Sequence, residues 1–578
     1  MKLPQLNEIP TSQRPIDIFK GYNHNLRIGD GEFYDMKNLT STHYPVLSPR
    51  GKRGTYVEAV NPRGMISKDA LCYVDGSKFI INEHPIEMEL NDEPKQLISM
   101  GAYVIIMPDK KYINTLDHTD KGDIEAEFVT TNDVTFSLCK RDASDYENIS
   151  PSKPENPENM DYWLDTSSTP HSLKQYSETS KTWVTVPTTY IKISSPGIGT
   201  AFKQFDGVTI SGIKAEELQS LNASMVLWEC KDDYIVVIGM LDAVTMQTVA
   251  EGAITLSRKM PVMDFIIESE NRLWGCRYGT DINGAVVNEI YSCKLGDFKN
   301  WNCFMQTSQD SYVASCGTDG QFTGAATHMG YPLFFKENCV HKVYGNYPAN
   351  YQIQTTACRG VQYGCSDSLA IVNEVLYYKS RNAVCAYDGS LPVEMSSVLG
   401  DVAYSDAVAC SHGNKYYISM KDTSDEYTLF VYDTSKGLWH KEDNLAVQHF
   451  CSCRNELYFI EKDSNVIRTM FGSGTTDATP IKWSAETGVM GMYTPDKKYI
   501  SKLNIRLSLN IGTKIYFFAQ YDSSGDWELL CTLTGTSLRS FTIPVKPRRC
   551  DHFRLKIEGE GEAKIFSIIK TLEQGSDV

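Results

Sequence analysis

Asn373-Glu374-Val375-Leu376-Tyr377-Tyr378 is the stretch that decides the fold, because its pattern of a turn followed by apolar and aromatic residues returns along the chain. Successive copies are 60, 43, 40 and 41 residues apart, counted at Leu273, Leu333, Leu376, Tyr416 and Leu457. Helical periodicity is nearly absent between the copies. Repeats of roughly 40 to 45 residues that hold several strands are typical of β-propeller blades.

Two upstream segments fit the same pattern. Residues 70–81 place the Asp75-Gly76 turn between apolar strands, which is a strong hairpin signal, and residues 101–113 repeat it. Together with the five downstream copies, these hairpins predict six or seven blades. The alternative is an irregular group of hairpins whose spacing is accidental.

The blade pattern is interrupted once and then ends. Residues 122–260 contain other strand-like segments, so we expect a β-rich domain inserted between blades. After residue 474, apolar residues alternate strictly, with a turn expected at Gly512-Thr513, and this pattern predicts a β-sandwich. The predicted fold is all-β, divided into an extended arm (1–54), first blades (55–121), the insertion (122–260), further blades (261–474) and the sandwich (475–578).

Charge and cysteine content narrow the function classes. The formal net charge of −16 disfavours coating of nucleic acid, although it suits a tube through which DNA slides without sticking. Several of the 16 cysteines lie in apolar, strand-like contexts, and no secretory signal opens the chain. We therefore expect reduced thiols in a protein made in a cytoplasm. No apolar run is long enough to predict a spanning helix.

The first 54 residues contain a distinctive order of residues. Asp30-Gly31-Glu32-Phe33 is followed by Asn38-Leu39 and then by Tyr44-Pro45, ending at Pro49-Arg50. This order resembles the opening of bacteriophage virion proteins called stabilization proteins and, more distantly, the tail nozzle (tail tubular B-type) proteins of short-tailed phages. The matching residues are Phe19, Gly21, Arg27, Asp30, Gly31, Glu32, Phe33, Met36, Asn38, Leu39, Tyr44, Pro45, Leu47, Pro49 and Arg50.

The resemblance implies a structural, non-enzymatic virion protein. Proteins of the nozzle family form a ring around the DNA channel, between the portal or adaptor and the distal tail. The resemblance therefore implies a homohexamer of this chain. The other expected partners are portal, adaptor and tail-fibre proteins, and the DNA that passes through the ring. The expected location is the virion tail, assembled in the host cytoplasm, with no cofactor. Because an extended segment can add to a neighbour's sheet, we expect subunit contacts at Asp30, Glu32, Phe33, Tyr44, Arg50 and Arg53.

Established catalytic motifs are missing from the sequence. Cys451-Ser452-Cys453 lacks a second pair with zinc-finger spacing, and Asp422-Thr423-Ser424-Asp425-Glu426 lacks the full calcium-loop signature, so buried thiols and a solvated turn are the better interpretations. Arg548 and Arg549 could bind a carbohydrate or a subunit, or simply lie at a solvated strand edge.

The second hypothesis is a carbohydrate-binding or carbohydrate-cleaving propeller, either receptor-binding or sialidase-like. A sialidase would need an arginine cluster, a tyrosine and a carboxylate at the propeller centre, which a sequence alone does not locate. A cellular scaffold that binds peptides is a third hypothesis.

Overall fold

A computed structural model describes residues 11–169, 171–186, 188–240, 247–249, 254–281, 283–491, 497–545 and 548–574. These residues are nearly all in strands, turns and loops, which confirms the predicted all-β class. Their helical segments are short 3-10 turns, at Glu216–Leu221, Pro348–Asn350, Ser366–Ser368 and Ser397–Leu399. No helix in the described ranges is long and apolar enough to cross a membrane.

Six sheets among the described residues are antiparallel meanders of four strands that follow one another in the sequence, and a seventh has the same four-strand order with one short extra strand; we number these seven sheets blades 1–7. Blade 1 consists of Pro62–Lys68, Ala70–Asp75, Lys78–Ile81 and His84–Glu87, and blade 2 of Gln96–Met100, Tyr103–Met107, Lys111–Asn114 and Lys121–Asp123. Blade 3 consists of Phe265–Ser269, Arg272–Thr280, Val286–Ser292 and Tyr312–Ser315, and blade 4 of Gly324–His328, Tyr331–Lys336, Cys339–Tyr344 and Gln352–Ala357. Blade 5 consists of Ala370–Val372, Val375–Lys379, Val384–Tyr387 and Val393–Glu394, and blade 6 of Ser405–His412, Lys415–Lys421, Tyr427–Asp433 and Leu438–Lys441.

Blade 7 joins the two ends of the propeller. Its first three strands are Val447–Cys453, Glu456–Glu461 and Val466–Thr469. The fourth, Gly54–Glu58, comes from before blade 1 and also pairs with the short strand Thr475–Thr476. The first strand of blade 7 contacts the first strands of blades 6 and 1, so successive sheets are arranged around a common centre. The predicted β-propeller is therefore confirmed.

The repeat that reveals the blades lies on their second strands. Leu273, Leu333, Leu376, Tyr416 and Leu457 are all buried, at 0–1% exposure. A second strand has neighbours on both edges and an adjacent blade against its face, so its apolar side chains are removed from water. Burial at this shared position explains why the pattern is visible in the sequence.

The β-rich insertion lies between blades 2 and 3 and has its own core, which includes Phe136, Ile191 and Val208. A 2.8 Å hydrogen bond from Asn300 Nδ2 of blade 3 to Asp206 Oδ1 holds the insertion against that blade, and within the insertion Asp206 forms a buried ion pair with Arg258. Its three sheets are Ala126–Val129, Thr255–Arg258, Gly207–Ser211 and Ser224–Val226; Glu229–Lys231, Tyr234–Met240, Thr188–Ser194, Val134–Cys139 and Gln247–Val249; and Asn148–Ser150, Tyr162–Asp165, Ser172–Ser177 and Thr182–Thr185.

The C-terminal unit is organised around Lys498–Tyr521, a single strand of 24 residues. The turn expected at Gly512-Thr513 is wrong: Gly512 has a φ of +86°, and the strand continues past it with a shift in register. Residues 498–509 pair with Ala563–Gln574 and residues 514–521 with Phe553–Glu560. Side chains from both halves share one core, as in a sandwich. Glu528–Ile543 pairs with the long strand, and Lys482–Thr487 with Phe553–Glu560.

The N-terminal segment is folded into this sheet. The sequence predicts a separate extended arm over residues 1–54, but Thr11–Ile16 pairs with Ala563–Gln574, and Glu32–Lys37 pairs with Lys482–Thr487. Phe33 and Met36 lie on either side of a shift in strand register and both join the sandwich core, so this segment has a buried face. The remaining short strands are Gly21–Tyr22, Leu39–Thr40 and Ser48–Pro49.

Candidate functional site

The strand order of a blade brings two kinds of loop to one face of the propeller. In an antiparallel meander the first strand begins on the side where the second strand ends. The loop that enters each blade and the loop between its second and third strands therefore share a face, which we call the upper face. In blades 5 and 6 these loops contain residues 380–383, 395–404 and 422–426.

The upper face has a cleft of about 360 Å³ between blades 5 and 6. Its walls are the hairpin of blade 5 and the loop that enters blade 6, and its floor includes Met420. A volume of this size is within the range of small-molecule sites, roughly 300–1,000 Å³. The side chains that give it polar character are Arg381, Asn382, Glu394, Ser396, Asp401 and Tyr404.

Lys379 holds the blade 5 wall in place. Its buried ammonium donates to Gln362 Oε1 at 2.8 Å, to the Ser380 carbonyl and, at 3.3 Å, to the Arg381 carbonyl. Burial lowers the pKa of Lys379. Because an ammonium has three N–H donors, these three acceptors satisfy it. Lys379 therefore positions the hairpin and leaves no donor for a ligand.

Other side chains of the cleft do have free polar groups. Arg381 and Asp401 are exposed, and neither side chain has a hydrogen-bond or ion-pair partner among the described residues. Glu394 pairs with Arg359 at 2.9 Å on the outer side. Burial, followed by the charge of Asp422, raises the pKa of Tyr404 to about 12, so its hydroxyl stays protonated. The cleft thus offers a cation, an anion and a phenol.

A charged cluster lies beside this cleft on the same face. Asp406 lies two residues after Tyr404, in the first strand of blade 6. Tyr427 is paired across the sheet with Lys421, which is next in the sequence to Met420 on the cleft floor. The Tyr427 hydroxyl donates to Asp406 Oδ2, which also accepts from Lys462 Nζ at 2.6 Å. Lys462 Nζ donates to the Tyr427 hydroxyl oxygen at 2.8 Å as well.

Each of the three groups in the cluster has a defined protonation state. Burial raises the pKa of Asp406, but the hydrogen bonds from Lys462 and Tyr427 outweigh it, and the pKa lies below its ordinary value. Burial and the bond to Asp406 raise the pKa of Tyr427. At neutral pH the cluster is a carboxylate, a phenol and an ammonium. A phenol in this setting can act as a nucleophile only if its proton passes to Asp406 in the same step.

The lysines of this face form a repeat that our sequence analysis missed. Lys336, Lys379, Lys421 and Lys462 follow or end the second strands of blades 4–7 at steps of 43, 42 and 41 residues. Lys336 Nζ donates to the Thr318 carbonyl at 2.8 Å and to Asn288 Oδ1 at 3.0 Å. Two of the four lysines therefore clamp backbone loops. The signal was present, since each lysine follows the aligned apolar segment of its blade.

Most of the predicted subunit-contact residues have partners in their own chain. Phe33 is buried beside Phe19, with ring centroids 6.0 Å apart, and Glu32 Oε2 accepts from the Gly29 amide at 2.6 Å. Asp30 pairs with Lys570 at 2.6 Å. Arg50 and Arg53 bind Asp443 at 3.3 and 2.7 Å. Tyr44 is 37% exposed. The structure does not bring the six together in one patch, and their contact with another subunit stays a prediction.

The remaining sequence candidates also have local roles. Cys451 and Cys453 are buried. Within the described ranges, no group of three or more His, Cys, Asp or Glu residues could hold a metal ion. Asp422 Oδ1 accepts from the amides of Ser424 and Glu426, as expected for a hairpin turn. Arg548 pairs with Glu528 at 2.6 Å.

The solved structures that are similar to this chain include glycoside hydrolases and sialidases. No family model and no curated protein matches it. Phanerochaete chrysosporium exo-β-1,3-galactanase is 10% identical, over 53% of this chain and 94% of that chain, with a TM-score of 0.22. Phage phi92 endosialidase is 9% identical, over 71% and 63%, with a TM-score of 0.24. Trypanosoma rangeli sialidase is 10% identical, over 91% and 96%, with a TM-score of 0.21. At these identities the likeness concerns the fold alone.

These comparisons correct the main functional prediction. The prediction of a non-enzymatic, nozzle-like tail ring for DNA ejection is wrong, because the similar solved structures are glycoside hydrolases and sialidases. The resemblance of the first 54 residues, the homohexamer, the portal and fibre partners and the location in a virion are not tested by these comparisons, and they stay predictions.

Proposed function

We propose that this chain is a carbohydrate-active β-propeller that binds a glycan in the upper-face cleft between blades 5 and 6. The observation that carries the proposal is the combination of free polar side chains in this cleft with the adjacent Asp406–Tyr427–Lys462 cluster. A sugar hydroxyl both donates and accepts, so one ligand can bind the Arg381 guanidinium and the Asp401 carboxylate together. Tyr404 adds a partly buried ring with a polar edge.

Side chains on the upper face could also cleave a glycan that binds in the cleft. Glycoside hydrolysis requires a nucleophile or base and a group that handles the proton of the leaving oxygen. Tyr427 and Asp406 supply a phenol that is already hydrogen-bonded to its proton acceptor, and the Lys462 ammonium stabilises negative charge on either. We assign Tyr427 as the candidate nucleophile, Asp406 as its base and Lys462 as the electrostatic partner. As the Tyr427 oxygen bonds the anomeric carbon, the phenol proton passes to Asp406 and then through water to the departing glycosidic oxygen. A water molecule next hydrolyses the glycosyl–Tyr427 bond and returns a proton to the phenol.

A glycan array followed by calorimetry tests the binding site. We expect the purified chain to bind at least one glycan class, and Arg381→Ala to weaken that binding by about tenfold, as expected when a charge-assisted hydrogen bond is lost. Arg454→Ala is the matched control, because Arg454 lies in the loop between the first two strands of blade 7, on the opposite face. An array without any bound glycan, or equal losses in both variants, would rule out this site.

A further inference from the structure

A second cleft lies where the N-terminal segment meets the C-terminal sheet. It has a volume of about 230 Å³ and contains the side chains of Arg14, Arg27, Asp30, Met490 and Lys570. None of its lining residues belongs to a blade, so it is separate from the upper-face site. It forms because Thr11–Ile16 pairs with Ala563–Gln574, the strand that contains Lys570.

Lys570 is the unusual side chain in this cleft. It is 2% exposed, and its ammonium donates to Asp30 Oδ1 at 2.6 Å. The described residues supply no second acceptor, although an ammonium has three donors. Lys379, which is buried to a similar degree, has three acceptors. Unpaired N–H donors on a buried ammonium cost free energy. A ligand in the cleft that supplied acceptors to Lys570 would therefore be favoured.

The charges that line the cleft also favour an anionic ligand. The two cations Arg27 and Lys570 line the cleft with the carboxylate of Asp30, in a chain whose formal net charge is −16. Arg27 is exposed, and its side chain has no partner among the residues that the structure describes. Burial lowers the pKa of Lys570, Asp30 opposes this effect, and Arg14 adds to it. A bound anion would relieve both the burial cost and the repulsion.

We propose that this cleft binds the acidic group of a small anion, namely a carboxylate, sulfate or phosphate. The oxygens of such a group would accept from the free donors of Lys570 and from the planar fork of Arg27. The apolar edge formed by Ile28, Val489 and Met490 leaves room for the body of an organic anion such as an acidic sugar. This site does not depend on the proposed glycan site.

Calorimetric titrations at constant ionic strength test the proposal with four probes: inorganic phosphate, sulfate, glucuronate and N-acetylneuraminate. We expect saturable binding of at least one probe, weakened by about tenfold or more in Arg27→Gln and in Lys570→Met, because each loses a charge-assisted hydrogen bond. The control is Lys564→Met, which removes an exposed lysine from the same strand and should bind as the unmodified chain does.

The pattern across the probes identifies the source of the anion. Binding of phosphate or sulfate alone indicates an inorganic ligand, and tighter binding of a sugar acid indicates a glycan carboxylate. If Lys570→Met fails to fold, Arg27→Gln still decides the question, because Arg27 is exposed. The proposal fails if the unmodified chain binds none of the four probes, or if Arg27→Gln binds as tightly as the unmodified chain.

Discussion

Lys462 Nζ lies 2.6 Å from Asp406 Oδ2, and this ion pair joins the second-strand end of blade 7 to the first strand of blade 6. The two residues are 56 positions apart in the sequence. Tyr427 reaches the same carboxylate from the third strand of blade 6. The cluster therefore exists only because neighbouring blades bring strand ends to one face. Its position beside the cleft gives the first prediction.

Tyr427→Phe should slow cleavage strongly and leave the affinity for the glycan unchanged. Any glycan bound in the cleft should be hydrolysed by the unmodified chain, and the variant should lose about a hundredfold or more in kcat, because the phenol is the group that reacts. Product release measured by chromatography gives kcat, and calorimetry gives the affinity. Tyr363→Phe, an exposed change in another loop on the same face, should behave as the unmodified chain. Full activity in Tyr427→Phe would refute the assigned role.

Acid should destabilise the protein through His341. This buried ring bonds the hydroxyls of Thr318 and Thr355, each at 2.9 Å, and burial, with the nearby Lys336, lowers its pKa to about 4. Between about pH 6.5 and the folded pKa, the unfolded chain binds a proton at His341 that the folded chain does not. The contribution of His341 to the unfolding free energy is therefore fully present above about pH 6.5 and is lost as the pH falls towards the folded pKa.

Urea unfolding at about pH 7 and about pH 5.5 measures this contribution. His341→Gln should reduce the loss of unfolding free energy between these pH values by roughly 1 kcal/mol. The exposed His84 serves as the control, since His84→Gln should leave the loss unchanged. The same loss in His341→Gln as in the unmodified chain would contradict the prediction.

Removing Arg53 should strongly destabilise the join between the N-terminal segment and blade 6. Arg53 is 5% exposed and pairs with Glu442 at 3.0 Å and with Asp443 at 2.7 Å. Arg53→Met removes a cation from beside the carboxylates of Glu442 and Asp443, and it should cost about 3 kcal/mol or more of unfolding free energy. Arg359→Met removes an exposed pair with Glu394 and should cost at most about 1 kcal/mol. Equal losses in chemical denaturation would count against the buried network.

Gly360→Ala should disturb the loop that enters blade 5. A Cβ at this position would overlap the Lys336 carbonyl oxygen, which is backbone and cannot easily move aside. We expect a loss of about 2 kcal/mol or more, measured by urea denaturation, because backbone must shift. Gly317→Ala is the control, since nothing lies within 4 Å of its added Cβ. A Gly360→Ala variant as stable as Gly317→Ala would show that the loop relaxes freely.

The blade repeat could be predicted because it depends on burial at matched positions. Leu376 and Leu457 are apolar for the same reason, each lying on a second strand between neighbours. The candidate site gave a weaker signal. Lys379 and Lys462 share a repeat position, but one clamps a hairpin and the other pairs with Asp406. No spacing distinguishes these roles, because they depend on acceptors in other loops.

The sequence alone determined that this chain is built of repeated β-hairpins, an inserted β-rich domain and a terminal β unit, since alternation and repeat length follow from strand geometry and burial. Only the tertiary structure decided that the N-terminal segment belongs to the C-terminal sheet and that Gly54–Glu58 completes blade 7. Backbone hydrogen bonds make these pairings, and they are nearly independent of side-chain identity, so the choice of partner strand depends on how the whole chain packs.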